Sequence, residues 1–146
     1  VIFRNLGTAA LIAAFCVAPA MAQEEIGLWY HGAGDNVEGE LINGIINDFN
    51  SSQTEFSVVI EEFPQESYND SVEAAALAGN LPCILDVDGP VMPRWAWAGY
   101  LQPLPIDASK IANFLPGTQG IWNDTLYSIG LWDAAVALYA RQSTLD

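Results

Sequence analysis

Two carboxylates, Asp86 and Asp88, close the apolar half of the stretch LPCILDVDGPVMPRWAWAGYL, residues 81–101, and Trp95, Trp97 and Tyr100 follow. Spaced i, i+2 on an extended chain, the two acids point to the same side. Four kinds of chemistry fit such a pair. A metal site is poorly served, because no His-rich spacing accompanies the acids. The Asp-x-Asp-Gly start of a calcium loop also lacks its later Glu: position 97 is Trp. A general acid/base pair in a secreted carbohydrate-active enzyme is possible in type, but two carboxylates alone are too common to establish one. Asp before Gly-Pro is also an ordinary helix entry, with Asp88 as cap and Asp86 facing solvent. The favoured reading is hydroxyl recognition. Carboxylates accept hydrogen bonds from sugar hydroxyls, and aromatic faces cover the sugar's C–H faces.

The aromatic residues divide by geometry. Trp95 and Trp97 lie roughly 200° apart on a helix and cannot share a face. Trp97 with Tyr100 and Leu101 is assigned to the core, leaving Trp95 for the cleft side. His31 ends a strand reading EIGLWYH and suits either a ligand contact or a satisfied polar cap. It is the one histidine of the sequence. No Gly-x-Ser-x-Gly elbow or P-loop is present, so nucleophilic and nucleotide chemistry have no support.

These residues must be placed by a framework, and the framework is legible. Residues 25–31 read as a strand that runs into a Gly-rich turn. Asp35 and Glu38 form a capping box for a helix whose Val37, Leu41, Ile42, Ile45, Ile46 and Phe49 make one apolar face. Residues 56–63 are a second strand. Ser67 and Asp70 pattern as another capping box, before a helix carrying Tyr68, Val72, Ala75, Ala76 and Leu77, with Gly79 just past its end. Residues 83–87 make a third strand. The alternation β-α-β-α-β with short connections predicts a parallel sheet with right-handed crossovers. Ligands of such sheets bind at the carboxyl ends of the strands, here residues 31–35, 63–67 and 86–90.

Beyond residue 90 the pattern changes. A short helix over 91–99 is broken by Pro93, residues 101–105 are extended, and 107–115 form a helix closed by Pro116-Gly117. A hairpin turns at Asn123-Asp124 between 121–122 and 126–131, and 136–141 is a further strand. Ser143 or Thr144 would cap a helix that does not follow.

The first residues belong to export rather than to the fold. Arg4 precedes an apolar segment, residues 6–17, that is too short to span a bilayer. Ala20-Met21-Ala22 is a small-x-small cleavage pattern. A mature chain beginning at Gln23 loses Cys16, so Cys83 has no disulfide partner; it reads as a small buried apolar residue. Removing Arg4 moves the net charge from −14 to −15, with 18 acids against Arg94, Lys110 and Arg141. That balance repels nucleic acid and anionic membranes.

Taken together, LWYHGAGDNVEGELINGIINDFNSSQTEFSV, SYNDSVEAAALAGNLPCILDVDGP, WAWAGYLQPL and LYSIGLWDAAVALYARQSTL resemble the family 1 extracellular solute-binding proteins. These are the sugar-binding subunits of bacterial ABC importers, relatives of maltose-binding protein. The resemblance runs through residues 25–146. It implies an α/β fold, a periplasmic-binding-protein-like type II lobe with a β-α-β-α-β start and a mixed sheet. With residues 1–22 read as a signal peptide, it further implies an N-terminal lobe over 23–130, and a hinge crossing with the first strand of a second lobe over 131–146. The family's chains are several times longer, so the second lobe is expected to be largely missing from this N-terminal fragment.

Function follows the same resemblance: a periplasmic, non-enzymatic protein without cofactor or metal, monomeric when full length. It would capture a mono- or oligosaccharide and deliver it to ABC transporter permease subunits. Matching positions imply ligand contacts at His31, Asp35, Asp88, Trp95, Trp132 and Asp133. Cys83 departs from the family's usual Asp at that place. Two alternatives stand beside this one: an enzyme using Asp86 and Asp88, and the same scaffold binding a polyamine or other cation.

Overall fold

The computed structural model describes residues 23–34, 36–131 and 140–145. Three strands form one parallel sheet in the order β2-β1-β3: β1 Glu24–Tyr30, β2 Phe56–Glu62 and β3 Ile84–Leu85. Helix α1, Asn36–Ser52, connects β1 to β2, and α2, Gln65–Ala78, connects β2 to β3. This is the doubled crossover that the alternation of patterns required. The β1–β2 ladder runs in full register from Glu24↔Phe56 to Tyr30↔Glu62.

Several local expectations change. β3 has two ladder positions, Leu28↔Ile84 and Trp29↔Leu85, rather than the five expected over 83–87. One more backbone bond, from the Asp86 N–H to the Trp29 carbonyl at 2.9 Å, ties its end to β1. The chain then turns: the Asp88 carbonyl accepts from the N–H groups of Val91 and Met92. Cys83 lies just before the ladder and is exposed, not buried.

Helix α2 starts two residues before Ser67. Pro64 is its N-cap, in extended conformation, and sets the entry without a side-chain bond. The Ser67 hydroxyl instead donates to the Pro64 carbonyl at 3.3 Å. At the other end Gly79 takes the left-handed conformation, φ 71°, as anticipated, and the Gly79 and Asn80 N–H groups bond to Ala76 and Ala75.

Helix α3, Met92–Ala98, is not broken by Pro93. Pro93 stands in the first turn, where an N–H would have no partner within the helix, so its loss costs nothing. Helix α4, Ala108–Ile111, is shorter than the 107–115 expected. Its N-cap Asp107 accepts from the Ser109 N–H, and hydrogen bonding from the Ser109 side chain, then from that N–H, holds the carboxyl below its usual range. Pro116–Thr118 forms a separate 3-10 turn.

β4, Gln119–Trp122, and β5, Thr125–Ile129, make the antiparallel hairpin. Asn123 and Asp124 both have positive φ, 49° and 59°, as a two-residue turn matched to strand twist demands. A last helix, α5, Gln142–Leu145, contains Ser143 and Thr144 within it rather than leaving them as unused caps. Most of the strand expected over 136–141 lies outside the described residues, as does the Asp35 cap.

The core sits on the α2–α3 side of the sheet. Tyr68, Val72 and Trp95 are buried together, and Trp29, Phe63, Leu85, Val87, Tyr100 and Leu101 pack around them. Trp95 is 0% exposed and Trp97 is 77% exposed, which reverses the expected division. The reason is rotational: position 95 of α3 faces α2, where Tyr68 waits with ring centroids 6.1 Å apart. A fully buried Trp contributes about 4–6 kcal/mol of transfer free energy, so this contact anchors α3 against α2. The α1 stripe has the predicted period, but Val37, Leu41, Ile45 and Phe49 remain 43% or more exposed.

Candidate functional site

The carboxyl ends of the three parallel strands meet at one edge. Backbone bonds define it: the Phe63 N–H donates to the Tyr30 carbonyl at 2.8 Å, and the Ala33 N–H to the Phe63 carbonyl at 3.1 Å. Alternation along β1 buries Tyr30 and leaves His31, one residue on, as the first side chain past the ladder. The Tyr30 hydroxyl donates to Glu38 Oε2 on α1 at 3.3 Å.

His31 joins two of the expected segments. Its Nδ1 lies 2.5 Å from Asp86 Oδ2, and its Nε2 lies 3.6 Å from Asp88 Oδ1. The Nδ1 and Oδ2 atoms are sealed from solvent, and their contact is a close ion pair not aligned as a hydrogen bond, so neither has a hydrogen-bond partner among the described residues. The side chains grade outward: His31 is 19% exposed, Asp86 32% and Asp88 47%. Close pairing with the Asp86 carboxylate raises the His31 pKa above its ordinary 6.5. Partial burial opposes that, and the charges of Asp86, Asp88 and Glu38 add to it.

Tyr68 supports the cluster from below. Its hydroxyl reaches the Asp86 carbonyl at 2.7 Å and the Trp29 carbonyl at 3.1 Å, so it clasps the short β1–β3 ladder where the ladder ends. Its ring lies 5.4 Å from the His31 ring. Burial, with the charge of Asp86, raises the phenol pKa and keeps it protonated. Sequence reasoning placed Tyr68 only as a core residue. The available signal was a Tyr where a buried helix position would accept Phe.

The arrangement distinguishes the two acids. Asp86 does not face solvent; it is engaged by His31. Asp88 does not cap α3 through its side chain, because the N-cap is Val91 and only the Asp88 backbone carbonyl serves the turn. Its carboxylate is left at the sheet edge with accepting capacity. Trp95 has its faces covered by Tyr68 and Val72 and offers no stacking surface at that edge. Asp35, Trp132 and Asp133 lie outside the described residues.

The edge is one-sided. A groove of about 770 Å³ runs beneath it along β3, past Cys83, Ile84, Leu85, Tyr100, Leu104 and Ile129, and meets the cluster only at Asp86. His31 and Asp88 do not line it.

The family model described as bacterial extracellular solute-binding protein matches residues 44–146, well over half of the chain. The chain belongs to that family. The match takes in the C-terminal half of α1, β2, the α2 crossover, β3, the Asp86–Asp88 turn and the hairpin, and begins after β1 and His31. Among solved structures, this solute-binding protein is similar to the sugar-binding protein MalE from the phytopathogen Xanthomonas citri, with a TM-score of 0.61 and 20% sequence identity. That similarity covers 70% of this chain and 27% of the other, so the chain spans about a quarter of that protein's length. At this identity the likeness shows the fold: a mixed α/β lobe built on a parallel sheet. Comparison with curated sequences gives no match. No described helix is long and apolar enough to cross a membrane.

Proposed function

We propose that this solute-binding protein captures a carbohydrate outside the cytoplasm and hands it to the permease of a bacterial ABC importer. The observation that carries the reading is the state of Asp88. It is a half-exposed carboxylate at the carboxyl edge of a parallel sheet, released from capping duty and set beside an imidazole. A carboxylate in that position accepts hydrogen bonds from hydroxyls, and charge-assisted bonds of this kind are the strong ones.

Residues 1–22 act in this proposal as a signal peptide cleaved after Ala22. Residues 23–130 form the first lobe, and residues 131–146 cross a hinge near 130–135 into a second. Closure of the second lobe by hinge motion supplies the wall that the open edge lacks and excludes water from the ligand. Asp35 borders the ligand on the first lobe, while Trp132 and Asp133 approach from the crossing, with Trp132 stacking on a sugar face. An enzymatic reading has less support: Asp86, one of the two acids it needs, is engaged by His31.

Titration of the full chain by tryptophan fluorescence tests the reading. The panel is glucose, galactose, mannose, xylose and their disaccharides, with spermidine as a cationic competitor. Saturable binding of a sugar that spermidine does not displace supports it. Saturable spermidine binding without any sugar response overturns it.

A further inference from the structure

We propose that His31 Nε2 and Asp88 Oδ1 together form a hydroxyl-selective subsite, and that sugar capture at this site is coupled to the uptake of a proton by His31. The inference deepens the function proposed above and rests on it.

The argument begins with the sealed Nδ1–Asp86 contact. A carboxylate oxygen 2.5 Å from Nδ1, with both atoms cut off from water, favours a proton on that nitrogen through its charge rather than through an aligned hydrogen bond, whether or not the ring carries a second proton. The other nitrogen, Nε2, is therefore the one that changes state. Neutral His31 presents a lone pair there, and protonated His31 presents an N–H. The Tyr68 ring against the imidazole and the Tyr68 hydroxyl on the Asp86 carbonyl hold this orientation.

The 3.6 Å between Nε2 and Asp88 Oδ1 is beyond direct hydrogen-bond reach. An oxygen seated beside the line joining them reaches both at roughly 2.8 Å. Its required chemistry depends on the proton. With Nε2–H and an ionised Asp88, the oxygen must accept from one side and donate to the other, and a hydroxyl does both. With neutral His31, two acceptors face the gap, and a single hydroxyl proton cannot serve both. A carbonyl fails in either state, because it cannot donate to Asp88. An ammonium group fits only the neutral state.

The groups facing His31 favour the protonated state. Asp86 and Asp88 approach from the turn after β3 and Glu38 from α1; the two phenol rings beside it are Tyr68 from α2 and Tyr30 from β1. Each carboxylate stabilises the imidazolium. A bound hydroxyl accepting from Nε2–H stabilises it further, so binding draws in a proton at pH values above the free-state titration of His31.

Isothermal titration of the full chain with its best sugar from the panel, at pH 5.5 to 8.5 and in two buffers of different ionisation enthalpy, tests this. Expected are net proton uptake and an affinity that falls by up to tenfold per pH unit (about 1.4 kcal/mol) above the His31 titration. His31→Gln, whose amide can donate but does not titrate, should bind with a flat pH profile. Nitrogen-15 NMR should show Nδ1 protonated throughout, the His31 signal being assigned by its loss in that variant. Sugar binding with no proton uptake, or an Nε2-protonated neutral tautomer, overturns the coupling and leaves the sugar-capturing function standing. Failure of every sugar to bind at any pH overturns both.

Discussion

The Tyr68 hydroxyl lies 2.7 Å from the carbonyl oxygen of Asp86, the residue directly after the ladder it secures. β3 holds β1 through only two paired positions, so this side-chain bond takes over where backbone pairing stops. Tyr68→Phe keeps the ring in the core and removes the clasp. The expected loss is roughly 1–2 kcal/mol in denaturant unfolding, since the Asp86 carbonyl loses its hydroxyl donor while the Trp29 carbonyl keeps only the Asp86 N–H. Sugar affinity should fall as well, because Asp86 and the imidazole it holds are freed to move. A Phe variant with unchanged stability and unchanged affinity would remove Tyr68 from the site.

The His31–Asp86 contact carries a signed pH dependence. The folded state raises the His31 pKa above 6.5, so the contact stabilises the protein fully below the unfolded value. That stabilisation is lost as pH rises through the folded value. Melting curves of the native chain and His31→Gln should therefore differ most near pH 5.5 and converge by about pH 9. A difference that grows with rising pH would mean that the histidine is held neutral.

Trp95 and Trp97 give a direct test of the packing. Trp95→Ala opens a void between α2 and α3 and should cost roughly 3–5 kcal/mol. Trp97→Ala removes an exposed side chain and should stay within about 0.5 kcal/mol of the parent. Acrylamide should quench the fluorescence contributed by Trp97 and spare that of Trp95. Equal quenching of the two would contradict the assignment.

Gly32 is required by close approach. A Cβ there would collide with the hydroxyl end of the Tyr30 ring, which is 3% exposed and cannot swing clear. Gly32→Ala should shift Tyr30, break its bond to Glu38 and destabilise the edge by roughly 1–3 kcal/mol. Thermal melting checks this, and an unchanged melting temperature would show that the ring relocates freely.

Much of this fold could be read from the sequence because its signals are local. The parallel sheet followed from the β-α-β-α-β alternation, the end of α2 from Gly79, and the hairpin from Asn123-Asp124. What could not be read depends on rotation and partners. Trp95 and Trp97 are equivalent in propensity, and only the placement of α2 against α3 decides which is buried. Cys83 looked apolar enough for the core, but β3 begins after it. At the site, His31 and the two acids were recognisable by type and strand position. Their pairing was not, because residues 31 and 86 meet only once β1 and β3 lie side by side.

The central claim is that the Asp88 carboxylate holds a sugar hydroxyl at the edge of this lobe. Sugar titration of the full chain against Asp88→Ala, with melting curves recorded for both, tests it most directly. The account predicts a loss of affinity of roughly 10- to 100-fold, as expected for a charge-assisted bond worth about 1.5–3 kcal/mol, with little change in melting temperature. Unchanged affinity in the variant would contradict it.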